Sequence, residues 1–185
     1  MNIKTIVVGE LEENCYIIEK NEQCIIIDPG DDVEKIISNI TYPPVAILIT
    51  HNHFDHVGAL ISLKEKYNVP VYNYNNLKEG ELSTGIFKID VIYTPGHTSD
   101  SVTFYFKEED VMFTGDFLFK GTIGRTDLST GNIEEMRKSI RKILAYSDII
   151  KVYPGHGEDT TLGLEKKYNN YLIGGIVWRS LCQFY

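Results

Sequence analysis

The chain is poor in cysteine. Its three, Cys15, Cys24 and Cys182, are odd in number, far apart and without a C-x-x-C spacing, so neither a disulfide framework nor a cysteine-rich zinc site is expected. Cys15 and Cys24 fall in strand-like runs and read as core residues rather than nucleophiles. No apolar stretch of signal-peptide type precedes Gly9 and Glu10, so a cytoplasmic location is expected. No stripe of Lys and Arg offsets the net charge of −8, which counts against nucleic acid as a partner. The apolar C-terminal tail, residues 173–185, holds the only Trp, is too short to span a bilayer and is interrupted by Arg179, so no membrane partner is expected. That tail reads as a segment docked on the core or as a contact in a homo-oligomer. No Gly/Ser linker or low-complexity tract divides the 185 residues, and one domain over residues 1–185 is expected. Nor does the chain carry a Ser or Cys nucleophile motif.

Histidine is scarce too, and its placement is the strongest signal present. Three of the five histidines lie in residues 50–58, Thr-His-Asn-His-Phe-Asp-His-Val-Gly. The preceding residues 45–49 are apolar and β-branched, as in a buried strand, so the cluster begins where that strand ends. His51 and His53 are two apart in extended chain and point the same way. Asp55 and His56 open an apolar-periodic stretch (Val57, Leu60, Ile61, Leu63, Tyr67), which predicts a helix beginning at them. One loop then offers more donors than a single tetrahedral zinc takes from one segment, and two metals are the natural reading. His97 follows the strand-like residues 89–93, His156 follows residues 149–152, and Asp116 follows residues 111–115, each after a turn marker. Open α/β sheets carry their chemistry at such carboxyl ends of strands.

Between these points, residues 3–8, 15–18 and 24–27 predict three strands, and Asp31 or Asp32 caps a helix carrying Val33, Ile36, Ile37 and Ile40. Asp28 reads either as a turn residue or as a carboxylate steadying the metal ligands. Residues 69–72 predict a short strand, while residues 73–88 have no clear pattern. Residues 89–93, 102–106 and 111–114 predict strands of a second sheet, with residues 107–110 as a charged turn. A long loop over residues 119–131, directly after Asp116, is expected to form a pocket wall. Helices are predicted over residues 133–144 and 161–172.

The motif Thr-His-x-His-x-Asp-His at 50–56, followed in order by His97, Asp116 and His156, resembles the metallo-β-lactamase superfamily, and within it the glyoxalase II-like hydrolases. The resemblance implies an α/β fold, a four-layered αβ/βα sandwich of two mixed sheets flanked by helices. It implies two divalent metal ions, zinc first, with iron or manganese suited to the same donors. It assigns His51, His53 and His97 to one metal, Asp55, His56 and His156 to the other, and Asp116 to both. Asp55 and Asp116 would thus be catalytic as well as metal-binding, since a hydroxide held between two cations is a nucleophile at neutral pH. The implied reaction is hydrolysis of a small acyl thioester such as a hydroxyacylglutathione, with Arg125 in a substrate-holding position. Two departures concern that substrate. The chain as given ends at residue 185, without the helical extension expected to help hold glutathione in the longer enzymes, and Gly157-Glu158-Asp159 stands where those enzymes have a Tyr. The segment Gly124-Arg125-Thr126-Asp127 is also similar to one in persulfide dioxygenases, which use one iron held by two histidines and an aspartate. That is the alternative enzyme. The alternative of another class is a binding protein whose metals only stabilise it.

Overall fold

The computed structural model describes residues 1–173, so the expected tail lies, from residue 174 on, outside the described residues. Its first half runs β1 (Asn2–Val8), β2 (Glu13–Lys20), β3 (Gln23–Ile27), α1 (Val33–Asn39), β4 (Pro44–Leu48), α2 (Phe54–Val57), α3 (Leu60–Tyr67) and β5 (Val71–Tyr72). The second half begins with β6 (Gly80–Thr84), β7 (Phe87–Tyr93), β8 (Val102–Phe106), β9 (Val111–Gly115), β10 (Leu118–Phe119) and β11 (Thr122–Ile123). It ends with α4 (Ile133–Ile143), β12 (Lys151–Pro154), β13 (Thr160–Thr161), α5 (Leu162–Tyr168) and α6 (Asn170–Ile173). One sheet has the order β1-β2-β3-β4-β5 and the other β13-β12-β9-β8-β7-β6. Both are mixed: β3 and β4 pair in parallel in the first, as do β9 and β12 in the second, beside antiparallel neighbours.

Strand alternation divides the apolar residues into three layers. Tyr16 and Ile18 of β2 face Phe104 and Phe113 of the other sheet, while Cys15 and Ile17 face away, toward Ile36 of α1 and Leu63 of α3. Met112 and Ile92 likewise turn outward to Met136, Ile140 and Ile143 of α4. The result is the expected four-layered sandwich, helices outside and two sheets within. Phe113 is fully buried, with its ring 5.0 Å from Tyr16, 5.5 Å from Phe106 and 5.2 Å from Tyr153. Burying one such side chain stabilises the fold by roughly 1.5–3 kcal/mol.

Several elements differ from expectation, each for a local reason. The helix expected over 55–67 is two. Ala59 N–H donates to Pro29 O, which takes it out of the helical ladder, and Ile61, expected inside, is 70% exposed. The helix expected over 161–172 breaks at Asn169, a fully buried residue whose side chain donates to Thr122 O and Glu165 Oε2 and accepts from Tyr171 N–H. Asn side chains that satisfy the backbone in this way compete with the helix. Asp32 does occupy the N-cap position of α1, yet in a left-handed conformation, and its carboxylate accepts from Gly9 N–H instead of from its own helix. The unplaced residues 73–88 hold β6, a sheet-edge strand whose mostly exposed residues leave no alternation to read. The long loop after Asp116 contains the β10–β11 hairpin.

Candidate metal centre

All seven residues singled out by the histidine pattern converge at one end of the two sheets. His51, His53, His97 and Asp116 form one group, and Asp55, His56 and His156 form a second, each with its donor atoms within 4.8 Å of one another. In the first group His53 Nδ1 lies 3.1 Å from His51 Nε2 and 3.0 Å from His97 Nε2, and His97 Nε2 lies 3.5 Å from Asp116 Oδ2. In the second, Asp55 Oδ2 is 3.3 Å from His156 Nε2 and 3.8 Å from His56 Nε2. The other oxygen of Asp116, Oδ1, is 3.4 Å from His56 Nε2 and 3.7 Å from His156 Nε2. Asp116 therefore turns one oxygen to each group.

The loops reach these positions through contacts made behind the ligands. Thr50, at the end of β4, gives its N–H to Asp28 Oδ1 (2.7 Å) and its hydroxyl to Asp28 Oδ2 (2.6 Å). With that proton committed, Thr50 Oγ1 accepts from His51 Nδ1 at 3.1 Å. His56 Nδ1 lies 3.1 Å from the same Asp28 Oδ2. His97 Nδ1 donates to Arg125 O (2.8 Å) and His156 Nδ1 to Leu11 O (3.0 Å). A carbonyl only accepts, so these two rings carry their proton on Nδ1 and present a bare Nε2 inward. Asp28 is thus the steadying carboxylate rather than only a turn residue.

Close backbone approach completes the second group. A Cβ on Gly155 would stand 2.3 Å from Asp116 Oδ1 and 2.7 Å from His56 Cε1, so only glycine fits there. The first sheet grips the His156 loop directly: Asn14 Nδ2 donates to Pro154 O and Gly157 O, Asn14 N–H to Gly155 O, and Tyr16 OH to Pro154 O. On the other side, Ser139 of α4 donates to Pro95 O and Asn132 N–H to Gly96 O, which holds the His97 turn.

The donor set fits divalent cations. The bare Nε2 atoms of His51 and His97 face each other across His53 Nδ1, which has at most one proton to give, and that leaves lone pairs opposed. His56 Nε2 and Asp116 Oδ1 are buried without any hydrogen-bond partner, an arrangement that is costly unless a ligand is bound. Burial pushes the His51 imidazolium well below its ordinary range, which keeps the ring a neutral donor. Burial alone would raise the Asp116 carboxyl, but the neighbouring His56, with His51 and His156, outweighs it and holds the group as a carboxylate far below the usual range.

Two features of the site escaped the sequence reading. Glu13 is 1% exposed, with its Oε1 3.7 Å from His56 Nδ1, and burial pushes its carboxyl up to about 10. Its signal was parity: in β2 it shares the helix-facing side with Cys15 and Ile17, where an acid is unexpected, although Glu19 has the same parity at the other end of the strand. Asn14, on the opposite parity, gave no comparable hint. Arg125, expected to hold substrate, is exposed at the rim, where its guanidinium donates to both oxygens of Asp127 at 2.7 and 2.8 Å.

Residues 8–82 and 77–156 match the metallo-beta-lactamase superfamily. The chain belongs to that superfamily. It is 37% identical over 201 residues to the probable metallo-hydrolase YqgX of Bacillus subtilis (strain 168), over 90% of this chain and 95% of the relative. It is 35% identical over 208 residues to the hydroxyacylglutathione hydrolase GloC of Haemophilus influenzae, over 93% and 98% of the two chains, which agrees with the glyoxalase II-like resemblance. Among solved structures, TTHA1623 in a di-iron-bound form superposes with a TM-score of 0.85 at 34% identity, covering 91% of this chain and all of that one. This chain is thus a metallo-β-lactamase-fold hydrolase with residues for two metal ions. No helix among the described residues is long and apolar enough to cross a membrane.

Proposed function

We propose that the protein is a dinuclear metal-dependent hydrolase of small acyl thioesters, with zinc as the resident metal. The observation that carries this reading is Asp116, one carboxylate with an oxygen in each of two complete donor groups. The 35% identity to a hydroxyacylglutathione hydrolase supports the thioester class. Bound divalent cations supply a water acidified to near neutrality and a Lewis acid for the carbonyl oxygen. The protein's part is to hold that charge fixed. With Nδ1 engaged by Thr50 Oγ1, Arg125 O and Leu11 O respectively, His51, His97 and His156 turn Nε2 inward. Asp55 stays a carboxylate, since His156 and His56 outweigh the burial that would raise it.

In the overall reaction a water oxygen bonds to the acyl carbon, the C–S bond breaks, and thiol and carboxylic acid leave. The departing thiolate has a solution pKa near 8.5 and needs no strong acid from the protein. Among the described residues the two cysteines, Cys15 and Cys24, are buried and outside both donor groups, so neither supplies a nucleophile. Arg125 uses two of its five N–H donors on Asp127, leaving the pair able to hydrogen-bond a substrate while contributing no net charge. The expected result is thiol release from lactoylglutathione that stops on chelation and returns on adding Zn2+. Release unaffected by complete metal removal would rule the reading out.

A further inference from the structure

A pocket of about 500 Å³ opens beside the second donor group, between the β1–β2 turn, the turn after β3 and the start of α2. It is continuous with the centre: Asp55 lines it, and Leu11 O, on its rim, accepts from His156 Nδ1. Two large apolar side chains stand at its mouth, Leu11 at 53% and Phe54 at 76% exposure. Apart from the metal-site residue Asp55, its charged lining residues are two acids, Glu10 and Asp31. Among the described residues no salt bridge joins Glu10 or Asp31 to a cation; Lys35, on the neighbouring helix, donates to Val7 O and sits 4.0 Å from Asp32. Two cations of the segment after Asp116 are paired with acids, Arg125 with Asp127 and Lys120 with Glu158.

Resting on the thioesterase reading, we infer that the preferred substrate is a thioester whose portion seated beside Phe54 and Leu11 is apolar, on a molecule without net negative charge. Bound cations would draw the carbonyl to the centre. The mouth through which the rest of the molecule passes is a separate region with its own sign, and low-dielectric walls focus that field on an approaching anion. The exposed apolar side chains at the mouth favour an uncharged group, because burying them against a carboxylate would strip its water without a partner.

The test compares lactoylglutathione with its diethyl ester, which shares the acyl group and the reacting thioester but lacks both carboxylates of the leaving thiol. On the zinc-loaded protein, kcat/KM for the diester is expected to exceed that for the free acid by about tenfold at ~0.01 M salt. The gap should shrink at ~1 M salt, where charges are screened beyond about 3 Å. Non-hydrolysable S-methylglutathione and its diethyl ester, titrated calorimetrically, should rank in the same order. The double variant Glu10→Lys, Asp31→Lys, at two exposed positions, should narrow both ratios. Equal constants for acid and ester, or a preference for the acid, would overturn the inference and leave the thioesterase reading standing. Cleavage of neither by metal-loaded protein would overturn both.

Discussion

Replacing Asp116 by Asn is expected to lower turnover by at least about a hundredfold and to reduce bound metal at both positions, with the fold intact by circular dichroism. The side chain keeps its shape, so packing around Gly155 and His56 does not change. What changes is charge and proton count. Asn has one acceptor oxygen where Asp116 has one for each group, and its amide nitrogen would point N–H bonds at His97 Nε2 or at His56 and His156 Nε2. Several kcal/mol of charge stabilisation at a metal centre are lost with such a ligand, and about 1.4 kcal/mol is worth a factor of ten in rate. A variant that still holds two metals and turns over normally would remove Asp116 from its bridging role.

Asp28→Asn is expected to weaken metal binding by roughly 10–100-fold, the usual effect of removing a partner behind the ligands, and to cost about 1–3 kcal/mol of stability from a buried unpaired donor. Asp28 belongs to neither of the two donor groups joined by Asp116, yet it accepts from Thr50 N–H, from the Thr50 hydroxyl and at His56 Nδ1. If the new amide nitrogen takes the Oδ1 position, it meets Thr50 N–H, donor against donor. If it takes the Oδ2 position, the Thr50 hydroxyl must turn toward His51 Nδ1, and His56 Nδ1 must become an acceptor. Both rings would then carry their proton on Nε2, which points it into the donor groups. Metal titration of the variant beside denaturant unfolding separates the two losses; unchanged affinity would contradict the tautomer argument.

Much of this centre can be read from the chain because each ligand follows a strand and a turn, and strands announce themselves by composition. Thr50-His51 after β4, His97 after β7, Asp116 after β9 and His156 after β12 all obey that rule. The four layers follow from the same alternation, as Tyr16 and Ile18 against Cys15 and Ile17 illustrate. What stays hidden depends on distant backbone. Asn14 reaches Pro154 and Gly157 across more than a hundred residues, and nothing near Asn14 in sequence marks it. The breaks at Ala59 and Asn169 arise from Pro29 O and Thr122 O, partners that helical periodicity cannot register. Edge strand β6 lacks a buried face and therefore a pattern.

The central claim is that one carboxylate serves two metals for hydrolysis, and metal content measured beside turnover tests it most directly. Protein as purified would be assayed for metals per chain, for thiol release from lactoylglutathione and for oxygen uptake with glutathione persulfide. The account expects two divalent ions per chain, thioester cleavage and no oxygen uptake. One iron per chain with oxygen consumed and the thioester untouched would contradict it, and Asp55, His56 and His156 would then be structural neighbours of a mononuclear site.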